Sequence, residues 1–425
     1  MAGGRNKELP CGNYDRLEKE MKNIAILGYG IVGSGVFEVM NTNRELINKR
    51  AGEEVNVKYV LDLRDFPGDP VEKVLVHDIS VILNDPEVDV VVEVMPGENP
   101  AYKFDKDALL AGKSVCTSNK AVVAKYGPEL LEIARQKNLN FLFEASVGGG
   151  IPIIRAMNDS LTADDVEKIM GILNGTTNYI LTKMADEGWD FDKALKTAQD
   201  LGYAERNPEA DIEGYDACRK IAILASLANG SHVDFEEIYT EGITKITACD
   251  FKYAKKMGRS IKLLGMTEKV NGCVFAMVAP FMVPSSHPLD GVKNAFNAIF
   301  VKGNMLGDAM LYGSGAGKLP TASAVCGDVV EAVKNVGKNI PIFWDDKKVE
   351  LCSMENAKRQ FMVRCEGNAD SKKAEVEALF GKSQFFTLED VEGEFAFITP
   401  VMSEKEFGEL YAKLAGAITR IRLEG

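Results

Sequence analysis

Between Gly202 and Lys220 the chain reads Gly-Tyr-Ala-Glu-Arg-Asn-Pro-Glu-Ala-Asp-Ile-Glu-Gly-Tyr-Asp-Ala-Cys-Arg-Lys, a run in which a lysine follows a crowd of carboxylates. Gly202, Asn207 and Pro208 mark a loop. Asp216–Ala228 has apolar residues at helical spacing and no breaker, which predicts a helix beginning near Gly214. Asp216 and Lys220 are four residues apart and so share one face of that helix, near its N-terminal end. Glu205, Asp211 and Glu213 precede them in the loop. A lysine among so many acids suits a small zwitterionic substrate: a carboxylate holds an ammonium while the lysine moves a proton or polarises a carbonyl. The same residues also describe a solvated loop and an ordinary salt-bridged helix. Cys218, between Asp216 and Lys220, reads as a buried helix cysteine.

A second signal lies near the start. Lys22–Leu27 is a short apolar strand, followed by Gly28-Tyr29-Gly30-Ile31-Val32-Gly33 and a helical run over Ile31–Met40. Strand, G-x-G-x-x-G and helix in that order predict a dinucleotide site. The glycines permit the tight turn and close approach of a pyrophosphate, and the helix N-terminus favours its charge. A second strand over Val55–Leu63 brings Asp62, Arg64 and Asp65 to the adenine ribose, where an acid favours NAD and an arginine favours NADP; both stand open. Val88–Met95 reads as a central parallel strand broken by Met95-Pro96-Gly97 at the expected ligand crevice. A helix over Tyr102–Ala111 returns to a strand at Ser114–Thr117, and Ser118-Asn119-Lys120 at its end points Lys120 to the crevice or to the surface. Asn140–Ala145 predicts a further strand. Its loop, Ser146-Val147-Gly148-Gly149-Gly150-Ile151-Pro152, offers carbonyls that with Glu144 suit a hard cation, or else serves close backbone packing.

Beyond Pro152 the expected elements are a strand over Lys168–Leu173, an Asn174-capped helix over Tyr179–Asp186, a helix over Asp192–Leu201, and a helix over Asp250–Met257. A hairpin follows, Ser260–Val270 with Cys273–Pro284 turning at Asn271-Gly272. Gly313–Pro320 is a second glycine-rich loop, ahead of a helix over Thr321–Asn335 expected to pack back on the dinucleotide domain. It is no P-loop: the spacing is one residue short, and Leu319 stands where Ser or Thr should bind metal. Past a linker at 337–341, the order strand, helix, strand, strand, helix, strand over 359–423 is the ferredoxin-like plan. The expected fold is thus α/β throughout. It comprises an extension over 1–21, a Rossmann domain over 22–150 with the returning helix 321–335, an α+β catalytic and dimerisation domain over 151–320, and a βαββαβ domain over 345–425.

At 425 residues two or three domains are expected. A net charge of −13 gives no electrostatic basis for nucleic acid or anionic membranes, and no apolar run approaches the ~20 residues of a transmembrane helix. The first twenty residues lack a signal peptide's apolar core. Eight scattered cysteines without C-x-x-C suggest reduced thiols in a cytoplasm, not a disulfide framework. Three distant histidines argue against zinc-dependent or histidine-based hydride chemistry.

In its motifs ILGYGIVGSGV (Ile26–Val36), TSNKAVVAKYG (Thr117–Gly127), FEASVGGGIPII (Phe143–Ile154), GILNGTTNYIL (Gly171–Leu181), LGYAERNPEADIEGYDACRKIAILA (Leu201–Ala225) and GSGAGKLPTASAVCGD (Gly313–Asp328), the chain resembles homoserine dehydrogenases over roughly residues 22–335. The resemblance implies NAD(P)H-dependent reduction of L-aspartate 4-semialdehyde to L-homoserine, on the route to threonine, methionine and isoleucine. It implies Lys220 as the acid–base group, Glu205 on the substrate ammonium, Asp216 and Asp211 shaping the polar pocket, and Lys120 between cofactor and substrate. It implies cofactor contacts from Gly28, Tyr29, Gly30, Ile31, Val32, Gly33, Arg64, Ser118, Lys120, Gly202 and Gly315, with NADP(H) favoured over NAD(H). A sodium-type cation at Glu144, Val147, Gly149 and Ile151 is implied too, and a homodimer or higher homo-oligomer. Two departures stand out: Met95-Pro96-Gly97-Glu98 replaces an expected Gly-Gly, and the C-terminal domain resembles an ACT domain but lacks its usual Asp-x-x-Gly turn. An amino-acid effector there is an expectation from element order. No kinase-like segment precedes residue 22, so fusion to an aspartate kinase is not expected.

Two rival readings remain: another amino-acid or semialdehyde dehydrogenase, and a cofactor-binding regulatory protein with a degenerate site. The first is not expected to carry the Glu205–Lys220 pair in this context. The second predicts loss of a catalytic residue, whereas Lys120, Glu205, Asp216 and Lys220 are all in place.

Overall fold

The computed structural model describes residues 21–425. Apart from Met21, the extension expected over 1–21 lies outside the described residues. The first layer is a six-stranded parallel sheet in the order β3-β2-β1-β4-β5-β6. Its strands are β1 (Met21–Leu27), β2 (Glu54–Leu61), β3 (Leu75–Val76), β4 (Val88–Glu93), β5 (Ser114–Thr117) and β6 (Phe141–Leu142). Its helices are α1 (Ile31–Thr42), α2 (Arg44–Ala51), α3 (Ile79–Leu83), α4 (Ala101–Leu110) and α5 (Lys120–Gln136). The order places the strand that leads into the fingerprint at the centre, so the crevice opens at the carboxyl ends of β1 and β4. Sheets covered on both faces read as apolar runs, and Ile24–Leu27 and Val90–Val92 are fully buried.

Three expected strands of this sheet end early, for visible reasons: the one expected over Val88–Met95 stops at Glu93, whose carboxylate accepts the Met95 amide at 2.6 Å. β2 stops at Leu61 because the next carboxylate, Asp62, turns back to accept the Tyr29 amide at 2.8 Å. The strand expected over Asn140–Ala145 shrinks to Phe141–Leu142. Glu144–Ser146 forms a single 3₁₀ turn closed by the Ser146 amide and hydroxyl, both donating to the Phe143 carbonyl.

After α6 (Ile153–Arg155) the chain builds a mixed sheet. Along the chain come β7 (Val166–Ile172), α7 (Gly175–Glu187), α8 (Phe191–Asp200), α9 (Glu209–Ile212), α10 (Tyr215–Asn229), β8 (Ser231–His232), β9 (Tyr239–Thr240), α11 (Ala248–Lys256), β10 (Arg259–Val270) and β11 (Cys273–Pro284). The β10–β11 hairpin turns at Asn271-Gly272, where both residues have positive φ, as a type I′ turn requires. β12 (Phe296–Gly303), β13 (Gly307–Ser314) and α12 (Lys318–Lys334) follow. α12 is the returning helix, and its Ala322, Val325, Val329 and Ala332 share one core with Ile24, Val36 and Val90 of the parallel-sheet layer. Its approach to α1 is close: a Cβ on Gly35 would stand 2.8 Å from the Lys318 carbonyl oxygen.

The C-terminal segment holds β14 (Asp345–Lys348), β15 (Lys358–Arg359), β16 (Phe361–Glu366), α13 (Ala369–Phe380), β17 (Gln384–Phe386), β18 (Glu394–Ile398), β19 (Met402–Ser403), α14 (Glu404–Tyr411) and β20 (Ala417–Leu423). Its antiparallel order β20-β16-β18-β17 is that of a βαββαβ unit. The sequence did not announce how it attaches. β20 pairs in parallel with β11, Phe281 opposite Arg422 and Met282 opposite Leu423, so one ten-stranded sheet forms, nine strands running from β13 to β17 and β9 pairing with β11 beside them. Buried arginines fasten the joint: Arg364 to Asp250 at 2.8 Å, Arg359 to Glu268 at 2.6 Å, and Arg422 to both Glu404 and Glu241 at 2.6 and 2.7 Å. Arginines this buried need such partners to offset lost hydration.

One cysteine expectation is corrected. Cys273 and Cys352 form a disulfide across 79 residues, tying the start of β11 to the segment after β14. Sequence spacing carries no sign of it, because the chain's return to the hairpin brings the two together. Among the described residues, no helix is long and apolar enough to cross a membrane.

Candidate active site

The two layers meet where the N-terminus of α5 faces the N-terminus of α10. Asp216, in the first turn of α10, is 6 % exposed, and a helix N-terminus favours its charge. Lys220, one turn on, donates from Nζ to Asp216 Oδ2 at 2.7 Å and to the Leu173 carbonyl at 2.8 Å. Lys120, the first residue of α5, places its Nζ 3.1 Å from the other oxygen of Asp216. One carboxylate thus stands between two ammonium groups brought by separate layers. Burial opposes its charge, yet Lys220 and Lys120 override burial and hold its carboxyl well below the usual range. The Asp216 carboxylate in turn raises Lys120 above an ordinary lysine, against desolvation.

Asn174 completes the cluster, and sequence reasoning had it only as a helix cap. Its Oδ1 accepts the Thr177 amide at 2.8 Å and so starts α7, while its Nδ2 donates to Asp216 Oδ2 at 2.9 Å and to Asp211 Oδ1 at 2.7 Å. A capping asparagine between a strand's end and an acid-rich loop was the available signal. Burial, with Asp216 nearby, raises the Asp211 carboxyl.

Glu205 and Gly202 do not join this cluster. They sit exposed on the loop after α8, which is held by the Thr176 hydroxyl on the Tyr203 carbonyl (2.6 Å) and by Gln199 on the Glu205 carbonyl (3.1 Å). Among the described residues the Glu205 carboxylate has no hydrogen bond or ion pair, which leaves it able to receive a cationic ligand group.

The dinucleotide cradle fits its ligand class. A Cβ on Gly33 would fall 1.9 Å from the Gly28 carbonyl oxygen, so only glycine closes the turn, whereas open space lies before Gly30, at the N-cap of α1. At the end of β2, both oxygens of Asp62 are engaged, by the Tyr29 amide and by Arg64 at 2.9 Å. Arg64 itself is largely exposed and packs over Phe66. On the other wall, Asn119 caps α5 and donates to the carbonyls of Met95 (3.3 Å) and Gly97 (2.6 Å), fixing the loop that replaces the expected Gly-Gly. Ser118 continues β5 into that cap, its amide on the Glu93 carbonyl at 3.3 Å. Gly315 crosses the glycine loop at Gly149; a Cβ there would stand 2.0 Å from the Asn297 carboxamide carbon. Lys318 pairs with Glu38 at 2.7 Å, in keeping with a loop that is no phosphate-binding P-loop.

At the turn of Val147, Gly149 and Ile151, the Glu144 carboxylate is committed elsewhere. It accepts the amides of Ile154 and Arg155 at 2.8 and 2.9 Å, while Asp328 accepts the Glu144 amide and pairs with Arg155. No group of three or more His, Cys, Asp or Glu arranged to hold a metal ion occurs among the described residues.

Known proteins resemble the chain along most of this architecture. The family models "Homoserine dehydrogenase, NAD binding domain" and "Homoserine dehydrogenase" match residues 28–144 and 152–330. A homoserine dehydrogenase of Bacillus subtilis is 42% identical over 320 residues, 74% of this chain and 73% of that protein. One of Helicobacter pylori is 42% identical over 348 residues, 81% of this chain and 82% of that protein. The crystal structure of a homoserine dehydrogenase from Thiobacillus denitrificans superposes with a TM-score of 0.88 at 36% identity, covering 96% of this chain and 99% of that one. A hyperthermophilic archaeal homoserine dehydrogenase in complex with NADPH superposes with a TM-score of 0.65 at 29% identity, over 76% of this chain and all of that one.

Proposed function

The chain belongs to the homoserine dehydrogenase family, NAD(P)-dependent oxidoreductases acting on a CH–OH group, and we propose that Lys220 is the group that exchanges the proton in its reaction. The observation that carries this reading is the Lys220–Asp216–Lys120 chain of contacts at the joint of the two layers. A bound nicotinamide cofactor would supply or take the hydride. In the direction of reduction, the Lys220 ammonium donates a proton to the C4 carbonyl oxygen of aspartate 4-semialdehyde as negative charge develops there. Asp216 keeps that ammonium aimed, and the Leu173 carbonyl fixes its second hydrogen. Lys120 offers the substrate carboxylate a cation, and the unpaired Glu205 receives the substrate ammonium. Asn174 and Asp211 line the polar floor between them.

NADP(H) is the favoured cofactor in this reading. Asp62 spends its carboxylate on Tyr29 and Arg64, which withdraws the acid that an NAD ribose would bond, and Arg64 stays exposed for a 2′-phosphate. With the Glu144 carboxylate engaged, a monovalent cation at the neighbouring turn is left with main-chain carbonyls as ligands, and no step is routed through one. β13 is a free sheet edge bearing exposed Met310 and Tyr312, which suits pairing with a second copy. The βαββαβ unit is read as an ACT-like regulatory module answering to an amino acid. The test is to follow NADPH and NADH oxidation by absorbance with aspartate semialdehyde, with and without threonine. Oxidation that depends on the semialdehyde is expected, faster with NADPH. Silence with both cofactors despite measurable binding would move the chain to the regulatory reading.

A further inference from the structure

Beneath the crevice two carboxyl groups are buried, and among the described residues no cation acts on either. Glu93, the last residue of β4, accepts the Met95 amide at 2.6 Å on Oε1 and the Thr117 hydroxyl at 2.7 Å on Oε2. Thr117, the last residue of β5, accepts the Asn119 amide at 2.9 Å on that same hydroxyl oxygen. Asn119 starts α5 and reaches back to the carbonyls of Met95 and Gly97. Glu93 therefore sits at the root of both crevice loops, and the residue after Asn119 is Lys120. Asp105 of α4 stands behind it, wholly buried, with neither carboxyl oxygen hydrogen-bonded.

We propose that Glu93 is a positioning residue of the reaction: through Thr117 and Asn119 its carboxylate sets the two crevice loops so that Lys120 meets Asp216. The proposal rests on the reading of Lys120 and Lys220 as parts of the reaction centre. A carboxylate accepts both bonds at once. Once protonated, one oxygen becomes a donor, and the Thr117 hydroxyl, which donates to the carboxylate while accepting from Asn119, must turn to accept from Glu93 instead. Around Glu93, β5 and α5 contribute the uncharged Thr117 and Asn119, and α4 contributes Asp105. Burial pushes Glu93 up to about 7 and, with Glu93 as neighbour, raises Asp105 well above the ordinary carboxylate range. The tie is thus complete above neutrality and loosens as pH falls through about 7.

The test compares Glu93→Gln, Thr117→Val, Thr117→Ser and the Glu93→Gln/Thr117→Val double variant in kcat, KM and melting temperature. Glu93→Gln and Thr117→Val are each expected to lower kcat about 10-fold at pH 8. The double variant is expected to lose no more than the worse single, because both break one tie. Thr117→Ser keeps the hydroxyl and stays within about 3-fold. The parent is expected to lose kcat as pH falls through about 7, and Glu93→Gln is expected to lack that decline. Parental kcat in Glu93→Gln overturns the proposal. So do losses that multiply in the double variant in step with the melting temperature, since a merely structural role predicts them. Parental kcat in Lys120→Ala overturns the underlying reading instead, so the two failures are told apart.

Discussion

Lys220→Ala separates the chemistry from the scaffold, because the structure limits what the substitution disturbs. Lys220 makes two bonds, to Asp216 Oδ2 and to the Leu173 carbonyl. Without it, Asp216 keeps Lys120 at 3.1 Å and Asn174 at 2.9 Å, so its buried charge stays paired. The stability lost is that of the missing bonds, about 1–3 kcal/mol. The barrier is another matter. A positioned general acid contributes roughly 10²–10⁴-fold, or about 3–5 kcal/mol of activation free energy. kcat is therefore expected to fall by roughly 10²–10⁴-fold, while NADPH affinity, set at the fingerprint, stays near parental. Lys220→Arg keeps a charge but not a releasable proton, and should be nearly as slow. Absorbance at saturating cofactor measures the first quantity and quenching of NADPH fluorescence the second. A Lys220→Ala turnover within about 10-fold of the parent, in folded protein, would refute the acid–base assignment.

Three further outcomes are expected. Arg64→Ser should raise the KM for NADPH about 10-fold and leave that for NADH unchanged; equal effects on both would remove Arg64 from the selection of cofactor. Glu205→Gln should raise the KM for the semialdehyde about 10-fold with kcat within about 3-fold, since an ammonium contact is held alike in ground and transition states. A fall in kcat alone would place Glu205 elsewhere in the mechanism. Lys262 on β10 is 4 % exposed and, among the described residues, donates only to the Val292 carbonyl, and burial lowers its pKa to about 8. The folded state then binds fewer protons than the unfolded one between pH 8 and 10.5, so stability should rise across that window by roughly 3 kcal/mol. Lys262→Met should flatten the rise, and denaturant melts at pH 7.5 and 10 measure it.

The cofactor layer was legible because its rules are local: an apolar strand, glycines at fixed spacing and a helix require nothing from distant residues. The Asp216–Lys220 pair was legible for the same reason, lying one helical turn apart. What was not legible depends on chain returns. Lys120 meets Asp216 across a sequence separation of 96 residues, and motif position alone puts it only at the crevice or the surface. Asn174 passed as a cap because capping was its local duty, while its amide serves residues some forty positions on. The glycine-rich neighbourhood of Glu144 left cation binding and close backbone packing both open, and the bonds its oxygens accept from the amides ten and eleven residues ahead were not legible. The Cys273–Cys352 bond and the β20–β11 pairing are of the same kind.

The shared sheet limits how the C-terminal unit can be dissected. Cutting the chain after Lys338 would strip β20 from β11 and leave unpaired backbone donors and acceptors beside an apolar strand, the geometry that invites aggregation. It would also strand Glu241, Asp250 and Glu268, whose arginine partners lie beyond the cut. A truncated enzyme that loses activity would report on this exposed seam before it reported on any regulatory role of the unit. Substitutions on the outer loops of the intact unit, around Gly367 and Gly393, would test for a response to an amino acid without opening the seam.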